Sequence, residues 1–204
     1  MRGIFNRFQQ IIYYDFDQVM DLDLLLRLIA MSEKSNARVR AVVCDMGNQK
    51  LLGTLGVYKE KNFHFKNPHD QERRVFLFCD IPHCFKNLRN HTLDYTLVIK
   101  HSESQSFSLN KALFKKLIDD EKTREFRICH KISDIHLNVR GHERQRVKYA
   151  TQLLSKSVSN ALLYLYGDTY KEQANAIRVF DDFFDVMNSR TMFDKKNSRC
   201  GLGE

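Results

Sequence analysis

Tryptophan is absent from this sequence, and proline nearly so, with two in 204 residues. No internal repeat and no low-complexity stretch divides the chain. No run of about 18 apolar residues occurs, so nothing in it is built to span a membrane. The opening residues, Met1 to Arg7, hold no apolar stretch long enough for a secretory signal. Five cysteines, an odd number without paired spacing, fit free thiols in a reducing compartment better than a disulfide framework. No G-x-x-x-x-G-K-[ST] string is present, which rules out a nucleotide held on a Walker loop. Acids are outnumbered: 33 Lys and Arg against 25 Asp and Glu give a net charge of +8. That balance favours an anionic partner, nucleic acid or nucleotide ahead of an anionic membrane surface.

What is present begins with three strings: Tyr13-Tyr14-Asp15-Phe16-Asp17-Gln18, Cys44-Asp45-Met46-Gly47-Asn48-Gln49 and Phe78-Cys79-Asp80-Ile81-Pro82-His83. Each sets an aspartate at the end of an apolar, β-branched or aromatic run of the kind that forms a buried strand. The carboxyl ends of central strands are where α/β sheets build their sites. Carboxylates gathered there suit Mg²⁺ and chemistry on phosphate. The same aspartates equally serve as caps of the helix or turn that follows. Cys79, His83 and Cys84 invite a zinc reading, but their spacing is not C-x₂-C and no second cysteine pair follows.

The pattern predicts alternating strand and helix in the first half: a strand at 10–16, a helix at 20–31 with Met20, Leu24, Leu28 and Ile29 inward, and a strand at 39–44. A short helix at 49–55 closed by Gly56, an extended piece at 63–65, a strand at 75–79 and a helix opened by Pro82 through Asn90 follow. After residue 91 only a short extended piece at 93–99 interrupts a helical reading, with 101–108 as a polar loop. Helices are predicted over 110–119, over 141–166 as one long amphipathic element ending at Gly167, and over 171–189 with Ile177, Phe180, Phe184 and Met187 inward. The tail from 195 to 204 reads as frayed. The fold class is α/β plus all-α, a mixed sheet followed by a helical domain.

The ordered set is familiar. Tyr14-x-Phe-Asp-Gln, Cys44-Asp45-Met46-Gly47 with Asn48-Gln49-Lys50-Leu51, and Asp80-x-Pro-His with Lys86 and Arg89-Asn90-His91 lead it. His136-Leu137-Asn138-Val139-Arg140, Val147 to Ser155 and Phe180-Asp181-Asp182-Phe183-Phe184-Asp185 continue it. From about residue 10 to 190 the chain resembles the P element transposase family, which includes the THAP-domain transposases and their domesticated relatives. The resemblance implies an incomplete RNase H-like domain over 1–85 and a helical GTP-binding insertion domain over 86–204. It also implies a nuclear location.

Family members cut and join DNA at three acids that hold two metal ions. By the resemblance Asp45 is the second of these acids, and a Mg²⁺ ligand only where the triad is complete. The first is expected before Met1 and the third past Glu204, so the chain as it stands is expected not to cleave DNA. Asp15, Asp17 and Asp80 are implied to be structural. The zinc finger that reads DNA in relatives is not in the sequence. For GTP, the resemblance implies contacts at Lys131, Val147 and Asp185, with Asp181 in place of an asparagine and Glu125 in place of an aspartate. A carboxylate is suited to the guanine edge, since it can accept from N1–H and the exocyclic amine together. Asp181 and Asp185, one helical turn apart, share a face; an acidic solvated face is the plainer account of the same spacing.

Arg140, Arg144 and Lys148 fall at i, i+4, i+8 of the long predicted helix, a stripe able to follow DNA phosphates or simply to be solvated. Lys86, Arg89 and His91 form a second cationic group at the expected domain junction. Three functions remain open: a transposase-derived GTP- and DNA-binding module without nuclease activity, part of an active transposase completed by other segments, and a protein-interaction module that binds no nucleotide.

Overall fold

The computed structural model describes residues 1–3, 8–45, 47, 49–57, 62–100 and 106–189. The chain divides into two compact units, Met1–Asp80 and Ile81–Glu204.

In the first unit, α1 (Leu22–Lys34) starts where Asp21, in extended conformation, accepts a hydrogen bond from Leu24 N at 2.8 Å. Strand β1 (Ala41–Cys44) pairs parallel with β3 (Arg74–Cys79), and β2 (His64–Lys66) pairs antiparallel with the other side of β3. The crossover that a parallel pair requires contains α2 (Gln49–Thr54) and β2. After α2 the chain turns at Gly56, whose φ of +70° suits a residue without Cβ. Leu25 and Ile29 of α1 bury against Phe65 and Val75, with Val39 and Val42 beside them. The opposite face, which carries Val43, Phe76 and Phe78, stays largely exposed.

One polar cluster ties α1 to the turn before β3. The buried Glu33 accepts from Val39 N at 2.8 Å, Asn67 Nδ2 at 2.7 Å and Arg73 Nη2 at 2.6 Å. The Arg73 guanidinium, helped by Asn67 and Val39 N, holds its pKa down to about 2 against the pull of burial.

The strand expected over Gln10 to Phe16 does not form. Residues 10–20 are exposed, Tyr14 and Phe16 by 79% and 84%, and Arg2 with Gln9 makes a single bridge. A strand exists only through its neighbour, and an apolar run alone supplies none.

In the second unit α3 (Ile81–Asp94) carries Pro82 in its first turn and runs past the expected end at Asn90. A hairpin follows, β4 (Leu97–Lys100) antiparallel to β5 (Ser106–Leu109), where Leu97 faces Leu109. Ser106 to Leu109 therefore corrects the loop expected over 101–108, while β4 occupies the later part of the extended piece expected over 93–99. Its serines alternate with Phe107 and the buried Leu109, a period-two pattern too short to stand out. Residues 101–105 lie outside the described set, as do 195–204, where a frayed tail was expected.

Asn110 caps α4 (Lys111–Lys122) by accepting from Leu113 N at 3.0 Å. The single helix expected over 141–166 is three elements: a 3-10 segment Gly141–Gln145, then α6 (Val147–Leu153) and α7 (Lys156–Tyr166). Ser155 takes an extended conformation and caps α7, accepting from Val158 N at 3.4 Å. Ala150, Leu154, Val158 and Ala161 all stay buried through the break, so apolar spacing does not reveal it. Gly167, with φ +55°, ends α7 as expected. Ahead of α6 lies the one-turn α5 (Asp134–Leu137), and α8 (Lys171–Met187) completes the unit. Its core joins Phe85, Leu109, Phe114, Leu117, Leu153, Leu162 and Ile177 into one cluster. Met187, expected inward, is 36% exposed at the end of α8.

Candidate functional site

Of the three aspartate strings, the structure brings two together. Cys44 and Cys79 are register partners at the carboxyl ends of β1 and β3, so Asp45 and Asp80 leave adjacent strands side by side. Asp80 N donates to Cys44 O at 2.9 Å across that end. Asp45 is exposed, and its Oδ1 accepts from Gly47 N at 3.1 Å, which closes a tight turn. Asp15 is occupied in the same way, accepting from Phe16 N at 2.8 Å and Tyr13 Oη at 2.9 Å. Asp17 is exposed in left-handed backbone at φ +56°.

Among the described residues no three His, Cys, Asp or Glu side chains converge as ligands of a metal ion. Two ions bridging a phosphodiester need several shared carboxylates, and Asp45 with Asp80 do not fit that requirement. Beside them the Cys44 thiol is pushed up by burial, with Cys79 and Asp45 adding to it. It is a poor nucleophile there.

The guanine candidates sit on the second unit. Asp181 and Asp185 lie on the last turns of α8, both half-buried. Phe184, next to Asp185, packs its ring on Phe85 of α3 at 4.7 Å between centroids. The neighbouring Lys86 donates from Nζ to Gln145 Oε1 at 3.0 Å, two residues before Val147 opens α6. Consecutive residues of α3 thus touch the chain beside Asp185 and the chain beside Val147. Lys131 is exposed in the turn between α4 and α5. Glu125 lies elsewhere, in a shallow groove of about 670 Å³ lined with Arg124, Phe126, Ile128, Asn160 and Tyr164; none of the other four guanine candidates lines it.

The basic stripe does not survive folding. Arg140 is extended and precedes the 3-10 segment, Arg144 lies within it, and Lys148 belongs to α6, so no single helix face carries the three. Arg144 pairs with Asp94, donating from Nη1 at 3.2 Å and closer still from Nη2. Arg140 and Lys148 remain exposed. Arg89 is fully buried and donates to Asn90 Oδ1 at 2.8 Å and Arg144 O at 2.5 Å, while its Nη1 has no partner among the described residues. Lys86 and Arg89 therefore anchor the 3-10 segment of their own unit. His136 is structural too: Ser133 N donates to its Nδ1 at 3.2 Å, and its Nε2 stands 3.0 Å from Gln152 Oε1. Sequence reading missed the groove around Glu125. Its signal was Phe126, an aromatic between charges at Arg124, Glu125 and Arg127, outside any apolar periodicity.

Comparison with known proteins fixes the relationship. The family described as TNP-like, GTP-binding insertion domain matches residues 82–200. The chain belongs to that family. It is 32% identical over 201 residues to the transposable element P transposase of Drosophila melanogaster, covering 93% of this chain and 25% of the relative. The solved Drosophila P element transposase strand transfer complex superposes with a TM-score of 0.86 at 30% identity, over 97% of this chain and 46% of that one. The resemblance read from the motifs therefore holds over both units. The chain spans a quarter of the curated relative and less than half of the solved one.

Proposed function

We propose that the second unit binds guanine nucleotide and that the first is part of an RNase H-like transposase sheet which does not cut DNA by itself. The observation that carries the first claim is the match to a GTP-binding insertion domain over 82–200, which includes every guanine candidate. In this reading Asp185 accepts from N1–H and the exocyclic amine of guanine. Adenine lacks both donors in that arrangement, so the carboxylate is the selecting group. Val147 and Lys131 shape the rest of the pocket, and Asp181 adds a second carboxylate on the same helix face. Glu125 fits this site less well than the other four, because it lines a groove they do not share.

The RNase H-like reading of the first unit is supported by its mixed sheet with β1 parallel to β3 and by likeness to the solved transposase. Asp45 is the catalytic remnant in this reading. The claim of no cleavage rests on ligand chemistry: an exposed carboxylate bound into its own turn, with Asp80 the one acid beside it among the described residues, does not organise two Mg²⁺ ions. DNA contact is the further role implied by a relative solved as a strand transfer complex. Exposed Arg140 and Lys148, with a net charge of +8, suit phosphates, whereas Arg144 is engaged by Asp94. A nuclear location belongs to the same reading.

Titration of labelled GTP into the full chain tests the central claim. GTP should bind in preference to ATP, and Asp185→Ala should weaken it about ten- to a hundredfold, the worth of one charge-assisted hydrogen bond. Equal binding of both nucleotides, or affinity unchanged in the variant, overturns the assignment. For the first unit, Mg²⁺-dependent nicking of DNA that Asp45→Asn abolishes would overturn the claim of inactivity.

A further inference from the structure

Phe126 and Tyr164 are 83% and 73% exposed, and both line the groove between the turn at 124–128 and the outer face of α7. Two large rings this open to water in one groove form an exposed apolar patch of the kind that marks a binding surface. The polar groups around them are equally available. Among the described residues, the side chains of Arg124, Glu125 and Asn160 make no hydrogen bond and Arg127, next to Phe126, makes no ion pair. Ile128 gives the groove an apolar floor that packs on the core.

We propose that this groove binds single-stranded nucleic acid, with an unpaired base stacked on Phe126 and Tyr164 and the adjoining phosphates on Arg124 and Arg127. Every base presents a π-face, so two exposed rings suit any sequence, and cations beside them follow the backbone. The Asn160 amide can both donate to and accept from a base edge. Glu125 can accept from exocyclic amines, and it disfavours a phosphate in the groove itself. Bases in a duplex are stacked already and offer these rings nothing, so single strands are preferred. A chain with net charge +8 draws such a partner in, and the attraction weakens with salt. This site excludes Asp181 and Asp185 and does not rest on the guanine reading.

The test measures fluorescence anisotropy of a labelled oligothymidylate with the full chain. Phe126→Ala and Tyr164→Ala should each weaken binding about tenfold, Phe126→Tyr should retain it, and Arg124→Gln should flatten the salt dependence by about one unit of slope. Both rings are exposed, so circular dichroism should be unchanged, and labelled GTP titrated in parallel should bind all variants as it binds the parent. Oligonucleotide binding undiminished in the Phe126→Ala, Tyr164→Ala double variant overturns the proposal. Duplex bound as tightly as single strand, with the same losses, overturns the stacking geometry.

Discussion

The two units bury their apolar residues in different ways. From Phe85 to Ile177 the second unit makes one continuous cluster that draws on its helices and on Leu109 of the hairpin. The first unit buries Leu25, Ile29, Phe65 and Val75 on one face of its sheet and leaves Val43, Phe63, Phe76 and Phe78 largely exposed. Its long-range polar contacts converge on Glu33. Distributed packing against a small core with one polar clamp is the contrast. It implies that the second unit loses stability mainly when its core is cut, and the first mainly when its clamp is broken or titrated.

The largest effect should come from Phe114→Ala. Its ring is fully buried at the centre of the second unit, and the loss should be about 3–5 kcal/mol in denaturant unfolding followed by a probe in that unit. A loss confined to the first unit would break the contrast.

Acid should pick out the first unit instead. Glu33 titrates at about 2 in the folded chain and near its ordinary value when unfolded. A lowered folded pKa means that its stabilisation is present above the ordinary carboxylate range and is lost as pH falls from there towards 2. The amount is about 2–3 kcal/mol. Glu33→Gln should remove most of that pH dependence and destabilise the first unit at neutral pH, since Arg73 would lose its charged partner. Hydrogen exchange along a pH series separates the units. A Glu33→Gln chain with the parental acid profile would contradict the clamp.

Caps give the smallest of these effects. Ser155→Ala should cost about 1 kcal/mol, because it removes the acceptor for Val158 N and with it the start of α7. A loss near zero would mean that the burial of Leu154 and Val158 alone fixes the break between α6 and α7.

Legibility in the sequence follows the same physics. Helices with a cap and a one-sided apolar face were readable: α1 behind Asp21 and α4 behind Asn110 differ from expectation by a few residues at their ends. Strands β1 and β3 were readable because both are short apolar runs ended by an aspartate. The run at 10–16 has the same composition but, beyond the pairing of Gln10 with Met1, finds no strand partner among the described residues, and composition does not show pairing. The break at Ser155 was invisible to apolar spacing, and so was the extended Arg146 between the 3-10 segment and α6, which misplaced the basic stripe: Arg140, Arg144 and Lys148 are aligned only on a helix that does not exist. Asp181 and Asp185 share a helix as expected. The clamp at Glu33 and the groove at Phe126 join residues far apart in sequence, Glu33 with Arg73 and Phe126 with Tyr164; Phe126 stands out among its charged neighbours, but nothing local names the partner of either residue.

Equilibrium binding of GTP against inosine triphosphate, which differs only in lacking the exocyclic amine, tests the guanine assignment most directly. If Asp185 accepts from that amine, the full chain prefers GTP about tenfold, the worth of roughly one hydrogen bond, and the preference vanishes in Asp185→Asn. Equal affinity for the two nucleotides in the parent chain, or a preference that persists in Asp185→Asn, would contradict it.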